Sequence, residues 1–497
     1  MNAPALMVFG TASDAGKSTL VAGLCRVWAR QGIRVAPFKA QNMARNAFVC
    51  ADGAEIGVAQ AVQALAARVT PVVDFNPVLL KPEPDMRSQL VLRGLAQGSF
   101  RYRELWQRRP EILQAVVESL ARLRARYELV VLEGAGSPAE INLHAHDIAN
   151  LAAVRNADAR AILVADIDRG GAFAALIGTL QLLPADVRAR MAGLVFNKFR
   201  GDASLLADGI AYLEAQTQLP VLGVVPHLGE VGLPDEDSLA QSRYRTRRRA
   251  RMDEIEIAVV DTPCLANFED VLPLAREPGV LVRLTSVARE LLEADLVVLL
   301  GSKATVHDLA FLRQRGLDQV LLRRARRDEP LLGVCGGAQM LGERIDDPER
   351  VESEHASVTA LGILPHVTRY EQPKRTLQCT GTLLAFGGGG QVEGFLLHHG
   401  RLHDVQGDAA VLLHDESRAS QGTPEGHVRG AVVASMLHRM FDGSAARVAL
   451  LSWLRQRRGL PVAPVLPAEA AADPYEILAD HVQQHIDCDR LLALARA

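Results

Sequence analysis

Residues 5–9, 34–38, 129–132, 161–165, 193–196 and 221–225 are short runs of almost wholly apolar residues. Such runs, lacking polar alternation, read as strands buried on both faces. Between several of them the apolar spacing changes to a helical period, as in residues 18–31 and 110–126. Strand–helix alternation predicts a parallel sheet with helices on both sides, the α/β class. A second series starts at IEIAVV (255–260) and runs through LVVLLG (296–301) and LLGV (331–334), which predicts a second α/β unit.

The stretch between the two series, SRYRTRRRAR (242–251), is dense in arginine. It reads as an anion or nucleic-acid patch or as a solvated linker; its shortness and its place between two folded patterns favour the linker. The second pattern fades after residue 458, a Pro/Ala-rich segment follows over 461–474, and 475–497 is helical in period. The expected organisation is a first unit over 1–241, a linker over 242–252, a second unit over 253–458, and a linker with a helical tail over 459–497.

Composition narrows the function. The chain has 497 residues, 48% hydrophobic and 23% charged, enough for two self-supporting cores and too apolar for disorder. Its 55 basic and 58 acidic residues leave a net charge of −3, and aromatics are 4%. Neither a basic footprint nor a base-stacking surface is evident, which argues against nucleic acid. No apolar run approaches a membrane span, and the first charged residue is Asp14, so neither a span nor a cleaved signal peptide is expected. Six scattered cysteines without a CxxC pair suit reduced thiols in the cytoplasm. Only six basic residues are lysines: Lys17, Lys39, Lys81, Lys198, Lys303 and Lys374. In a chain that uses arginine for general surface charge, a lysine is informative.

The first apolar run enters GTASDAGKST (10–19) and then a helical stretch. Strand, glycine-rich loop, helix is the order of a phosphate loop. Backbone N–H groups cradle phosphates, a lysine bridges the terminal ones, and a hydroxyl faces Mg²⁺. Gly10, Thr11, Asp14, Gly16, Lys17, Ser18 and Thr19 are the candidates for nucleotide binding. Gly10 and Gly16 enclose five residues rather than the usual four, so the loop is a variant. Lys39, just after a strand, supplies a second cation near the phosphates, against the alternative of a surface lysine. Asn197, at the end of another strand, can read a purine edge. Glu133 ends the strand 129–132, where a side chain reaches the ligand crevice of a parallel sheet. Glu133, Asp52 and Ser18 are the candidate Mg²⁺ ligands; for the two acids the alternative is turn capping.

The second unit contains Gly333-Val-Cys335-Gly-Gly337 between a strand and a helix, the form of a nucleophile elbow. Flanking glycines allow the sharp turn, and the helix start favours a thiolate. A thiolate needs a proton carrier, but there are 14 histidines. His438 and the pair His398–His399 each follow an apolar segment, and the residues alone leave the choice open.

The chain resembles the cobyric acid synthase family of cobalamin biosynthesis. The resemblance covers roughly residues 5–457 and rests on GTASDAGKSTLVAGLCR (10–26), PFKAQNM (37–43), DGAEIG (52–57), NPVLLKP (76–82), LEGAGSPAEINL (132–143), DIDRGGAFA (166–174), NKFRGD (197–202), LPDEDS (233–238), GSK (301–303) and GVCGGAQML (333–341). PFKAQNM with NPVLLKP separates this family from the a,c-diamide synthases. The resemblance implies a dethiobiotin synthetase-like ATPase joined to a class I-like glutaminase. It places Cys335 on the nucleophile and His438 on the base. The glutamate often found two residues after that base is absent from the family; Met440 stands there. The chain departs from the family pattern at Met436-Leu-His438-Arg, Phe395-Leu-Leu-His398-His399-Gly400 and Gly337-Ala-Gln.

The implied reaction is ATP- and glutamine-dependent amidation of adenosylcobyrinate a,c-diamide at four carboxylates (b, d, e and g). Glutamine is hydrolysed at Cys335, an oxyanion hole lies near Gly301 and Gly336, and ammonia passes internally to the ATP·Mg²⁺ site. Such an enzyme is cytoplasmic, and its homo-oligomeric state is left open. The competing readings are another amidotransferase ligase, such as the a,c-diamide synthase, and a regulatory ATPase with an inactive glutaminase. Ala12 occupies the position of the signature lysine of dimeric partition ATPases, which weighs against the last.

Overall fold

The first apolar runs form one sheet. The computed structural model describes residues 2–229, 232–233, 243–246, 248–414, 422–462 and 473–497. Strands β1 (Ala5–Gly10), β2 (Val35–Phe38), β3 (Leu129–Glu133), β4 (Arg160–Asp166), β5 (Met191–Phe199) and β6 (Val221–Pro226) lie in the order β6-β5-β4-β1-β3-β2, with parallel pairings throughout. Every residue of β1, β2 and β3 is buried, which explains why these runs carry no polar alternation. Helix α1 (Lys17–Arg30) leaves the end of β1 after the glycine-rich loop. The motif LPDEDS lies, after Leu233, outside the described residues, as do parts of both linkers.

Sequence patterning did not anticipate a four-stranded sheet, Gln41–Met43, Val78–Glu83, Arg87–Leu92 and Leu95–Arg101, inserted between β2 and β3. A hairpin, Ala47–Val49 with Glu55–Gly57, projects beside it.

The second series forms strands β7 (Ile255–Val260), β8 (Val280–Thr285), β9 (Leu296–Leu299), β10 (Leu331–Val334), β11 (His427–Arg429) and β12 (Val432–Ser435), ordered β8-β7-β9-β10-β12-β11. Pairing is parallel except at β11. Helix α2 (Gly336–Leu341) leaves the end of β10. A long antiparallel pair, Val367–Leu383 with Gln391–His403, extends from this unit.

The tail is no loose appendage. Helices α3 (Pro474–His485) and α4 (Cys488–Arg496) return to the first unit. Leu478, Val482, Ile486 and Leu491 share a core with Leu20, Leu24 and Trp28 of α1. Arg30 donates to Glu476 at 2.5 Å and to Asp480 at 2.7 Å.

The two units meet across polar and apolar contacts. Lys374 Nζ lies 2.8 Å from Glu55 and Lys303 Nζ 2.9 Å from Glu83. Gln378 donates to the Val49 carbonyl at 2.8 Å, and Asn267 N to Asn46 Oδ1 at 2.9 Å. Phe48, Leu79 and Val91 pack with Phe395 and Leu397.

Candidate active sites

The phosphate loop is built as its residues require. Gly16 has φ 90°, and a Cβ there would fall 2.0 Å from the Asn197 amide nitrogen, so glycine alone fits. Lys17 Nζ donates to the carbonyls of Ala12 and Gly136, both at 3.0 Å, which holds the ammonium at the mouth of the loop. Asn197 donates to the Ala15 carbonyl at 2.9 Å and accepts from Lys198 N. It braces the loop from behind and lines the cavity there. Lys198 reaches the Asp14 carbonyl at 2.5 Å and the carboxylates of Asp14 and Asp166 at 3.2 Å. Thr11 is tied by its N–H to the Val164 carbonyl at 2.9 Å, and Thr19, exposed, lines both adjoining cavities.

Glu133 is the hub of this site. It is 1% exposed and ends β3. Ser18 Oγ donates to its Oε1 at 2.6 Å, Lys39 Nζ to the same oxygen at 2.9 Å, and Gln63 to Oε2 at 2.5 Å. One carboxylate and one hydroxyl at the start of α1 suit Mg²⁺, which takes few protein ligands beside phosphate oxygens and water.

Asp52 stands elsewhere. It is exposed at the tip of the 47–57 hairpin, where its carboxylate accepts from Ala54 N at 3.0 Å. It is not among the residues lining the cleft at Lys17 and Lys39, and the structure does not bring it to Ser18 and Glu133. A turn acid in a Cys-Ala-Asp-Gly tip is better used locally than at a distant ion. The acid of that motif that turns inward is Glu55, which Lys374 and Lys81 clamp. Burial raises its pKa, but the two ammoniums outweigh it and hold the carboxyl at about 2.

Cys335 sits at the elbow between β10 and α2 with φ 51° and ψ −108°, a strained backbone for a non-glycine residue. The neighbours permit it: a Cβ on Gly337 would lie 1.9 Å from the Leu299 carbonyl. The thiol is buried, with Sγ 3.9 Å from the Leu397 carbonyl oxygen. All six cysteines are free thiols. His438 follows β12 and is fixed by paired backbone bonds with Phe395, whose ring stacks on the imidazole at 5.3 Å. The structure brings His438 to Cys335 and leaves His398 and His399 on the long antiparallel pair. Gly301 and Gly336 both border the centre: a Cβ on Gly301 would lie 3.2 Å from the imidazole, and one on Gly336 2.7 Å from Ser302 N.

The third member of the constellation was not legible beforehand. Asp270, in the short turn Phe268–Val271, places Oδ2 2.8 Å from His438 Nδ1 and takes Arg439 N on Oδ1 at 2.8 Å. Burial works against the imidazolium, but Asp270 and Cys335 outweigh it and raise the His438 pKa to about 10. Met440, in the place of the usual glutamate, is buried in the core. The one available signal was that vacancy, which says an acid must come from elsewhere without saying where.

A nucleotide cradle and a Cys–His–Asp centre in one chain narrow the comparison with known proteins. Residues 6–238 match the CobQ/CobB/MinD/ParA nucleotide binding domain, and residues 256–446 match the CobB/CobQ-like glutamine amidotransferase domain. The cobyric acid synthase of Sorangium cellulosum (strain So ce56) is 47% identical over the full length of both chains. The chain belongs to the cobyric acid synthase family. Those of Moorella thermoacetica (42% identical, 99% of this chain and 97% of the relative) and Klebsiella pneumoniae strain 342 (45%, 99% and 98%) are similar over the same extent. As a member of the cobyric acid synthase family it is an amidoligase, with a nucleotide-binding P-loop half and a glutamine amidotransferase half. Among the described residues no helix is long and apolar enough to cross a membrane.

Proposed function

We infer that the protein amidates adenosylcobyrinate a,c-diamide at the b, d, e and g carboxylates, consuming ATP and glutamine, in the cytoplasm. The observation that carries this reading is the coexistence, in one cobyric acid synthase chain, of the Glu133–Ser18–Lys39 cluster with the Cys335–His438–Asp270 centre.

At the glutaminase centre, Cys335 Sγ attacks the side-chain carbonyl of glutamine. His438 gives its proton to the departing nitrogen, a thioester forms, and ammonia leaves. Water then attacks the thioester, with His438 taking its proton, and glutamate is released. Asp270 holds the imidazole in its tautomer and orientation. Backbone N–H groups near Gly336 and Gly301 would receive the oxyanion.

At the other centre, the loop 10–19 and Lys17 bind the phosphates, and Lys39 neutralises charge on the transferred group. Ser18 and Glu133 are the residues that would hold Mg²⁺, which supplies charge neutralisation on phosphate oxygens when bound. A substrate carboxylate attacks the γ-phosphorus and ADP leaves. Ammonia then attacks the acyl phosphate, giving the amide and phosphate. The cleft on the Lys39 side, about 680 Å³, has Met43, Tyr102, Leu143 and His146 among its walls, and the His146 ring stacks on Trp106 at 4.1 Å. Such apolar and aromatic walls suit one face of a macrocycle.

Internal passage of ammonia is supported by a buried polar track between the centres. His398 follows Leu397, whose carbonyl faces the Cys335 thiol, and among the described residues neither of its ring nitrogens makes a well-aligned hydrogen bond. Arg375 is its cross-strand neighbour, Lys374 is bonded to Glu55, and Glu55 to Lys81. Two residues on, Gly57 N donates to Asn76, whose amide donates to the Lys39 carbonyl at 3.0 Å. Groups buried so completely are normally all paired, so a ring with at most a poorly aligned contact to the Gly400 backbone is a candidate stop for a small polar guest on this route.

The decisive experiment measures amide formation on adenosylcobyrinate a,c-diamide with glutamine or ammonia, for wild type and Cys335→Ala. Four amides from glutamine, lost in the variant and restored by ammonia, are expected. No product from either nitrogen source would overturn the substrate assignment.

A further inference from the structure

Cys264 lies in the loop that leaves β7, just before Leu265–Ala266, which pairs antiparallel with Gly301–Ser302. His307 and Asp308 stand in the first turn of the helix Thr305–Gln314. The three side chains converge. Cys264 Sγ is 3.7 Å from His307 Nδ1, the same nitrogen is 3.8 Å from Asp308 Oδ1, and one atom of each group lies within 4.8 Å of the other two. Among the described residues this is the only place where three thiol, imidazole or carboxylate groups meet so closely.

The residue types are those of Cys335, His438 and Asp270, but the arrangement differs. A catalytic base uses one ring nitrogen for the nucleophile and the other for the acid that orients it. Here thiol and acid face the same nitrogen, which is how ligands stand around a common centre. Burial, with the Asp308 charge, also pushes the Cys264 thiol up to about 11, the wrong direction for a nucleophile.

The distances fit an ion. Bonds of about 2.0–2.3 Å in a tetrahedral site set neighbouring ligand atoms roughly 3.4–3.6 Å apart, and the two edges at His307 Nδ1 are close to that. Asp308 is buried and already oriented. Its Oδ2 accepts from Ser302 Oγ at 2.6 Å and its Oδ1 from Cys264 N at 2.9 Å, which leaves Oδ1 a second lone pair. Such hydrogen bonds are what hold a ligating carboxylate in place. The His307 side chain is 52% exposed, so an ion can enter from solvent and keep water as a fourth ligand. The cations nearby are engaged: Lys303 with Glu83 at 2.9 Å, and Arg45 with the Pro263 carbonyl at 2.5 Å. Thiolate and carboxylate together carry two negative charges. Sulfur with imidazole selects zinc-like ions over Mg²⁺ and Ca²⁺, which seek oxygen.

We propose that Cys264, His307 and Asp308 bind a thiophilic divalent cation of the Zn²⁺ class, which staples the loop before Leu265–Ala266 to the helix after Gly301–Ser302. Binding releases the thiol proton to solvent. The site is separate from Ser18 and Glu133.

The test uses the full chain without an affinity tag, as Cys335→Ala so that the elbow thiol takes no metal, and in excess Mg²⁺ to fill oxygen sites. Co²⁺ is the probe, because a thiolate bound to it gives a charge-transfer band that oxygen and nitrogen ligands do not. A single equivalent of Co²⁺ is expected to develop that band, and Zn²⁺ to bleach it. Adding Cys264→Ser should abolish the band. Adding His307→Ala should weaken Zn²⁺ by about 10-fold or more, since even an outer partner of a ligand typically accounts for about 10- to 100-fold. Zn²⁺ should raise the urea midpoint of Cys335→Ala but not that of the double variant with His307→Ala. If Cys264→Ser fails to fold, the exposed His307 still decides. No sulfur band at saturating Co²⁺, a band kept in full by Cys264→Ser, or a Zn²⁺ affinity untouched by His307→Ala would overturn the proposal and leave the amidotransferase reading intact.

Discussion

Asp270 Oδ2 and His438 Nδ1 are 2.8 Å apart in space and 168 residues apart in the chain. This contact supplies what Met440 cannot, a carboxylate on the far nitrogen of the imidazole proposed as the base. It also joins the turn Phe268–Val271 to the residue that follows β12, so the base is oriented from a different part of the fold than the one that carries it.

Asp270→Asn keeps the shape of the side chain and removes its charge. The imidazole then loses the partner that fixes its tautomer, and glutamine-dependent amidation is expected to fall by about 10²-fold or more. Ammonia-dependent amidation should persist, because the phosphate-loop centre does not use Asp270. Steady-state assays with each nitrogen source check this. An equal loss with both would refute the assignment of Asp270 to the glutaminase.

The raised pKa of His438 gives a pH dependence with a definite sign. The folded-state proton is held up to about pH 10, whereas an ordinary histidine releases it near 6.5. The stability contributed by the charged imidazole is full below the unfolded value and is lost as pH rises through the folded one. The proton needed by departing ammonia stays in place over the same range. The glutaminase profile should therefore be flat on its alkaline side until near pH 10. In Asp270→Asn the alkaline limb should move toward neutrality. A limb that stays where it was in the variant would exclude Asp270 as the main support of the imidazolium.

Glu133 is expected to matter to one centre only. Glu133→Gln keeps one acceptor oxygen, enough for Ser18 and Lys39, sets an NH2 against the Gln63 amide that donated to the other oxygen, and removes the charge beside Lys39. Amidation should fall by about 10²- to 10³-fold with either nitrogen source, the range seen when one preorganised electrostatic group is lost. Glutaminase activity should remain. The split is read from glutamate release and amide formation in the same reaction. Retained amidation would remove Glu133 from the ATP centre.

What could be read from sequence was what is local. The loop 10–18, Glu133 at its strand end and the Cys335 elbow are each a few residues whose neighbours impose the geometry. The parallel strands were legible because residues buried on both faces cannot alternate. Asp270 was hidden because its role depends on a contact between distant segments. Asp52 and Glu55 show the same limit at short range: three residues apart, one faces solvent and the other is buried between two lysines, and only the hairpin decides which. The inserted sheet over residues 41–101 escaped notice because its last strand is largely exposed and carries polar residues and glycine. Among the lysines, scarcity was a sound guide. Lys17, Lys39 and Lys198 border the phosphate loop and its acids, and Lys81, Lys303 and Lys374 sit on Glu55 and Glu83 between the units.

Glu55 bridges both units through Lys81 and Lys374. Glu55→Gln leaves two ammoniums near each other without their counter-charge, and should cost about 3–5 kcal/mol. Lys374→Met removes one partner and keeps Lys81, so it is the milder probe. It is expected to lower the amide formed per glutamine hydrolysed while glutamate release continues, with external ammonia restoring the yield. That ratio measures escape of ammonia and is independent of the turnover of either centre. An unchanged ratio would take Lys374 off the route.

The tail helix α3 packs so closely on α1 that Gly23 has no room for a side chain. A Cβ there would fall 2.5 Å from Val482 Cγ2 and 3.3 Å from Leu478 Cγ. In isolation, alanine favours a helix interior over glycine by about 1 kcal/mol. The clash with Val482 opposes that gain, and overpacking at a tight contact typically costs about 1–3 kcal/mol. Gly23→Ala alone should therefore destabilise the protein. In a Val482→Ala background the Cγ2 at 2.5 Å is gone while the Cβ at 3.2 Å remains, so the same substitution should cost less. Denaturant unfolding of the four proteins gives the cost in each background, and an equal cost in both would refute close packing of these two helices. Because Val482, Leu478 and His481 also wall the cavity at Gly16, Gly23→Ala is expected to raise the KM for ATP, and the double variant to restore part of it. A tail that merely trails from the fold would leave both the stability and the KM unmoved.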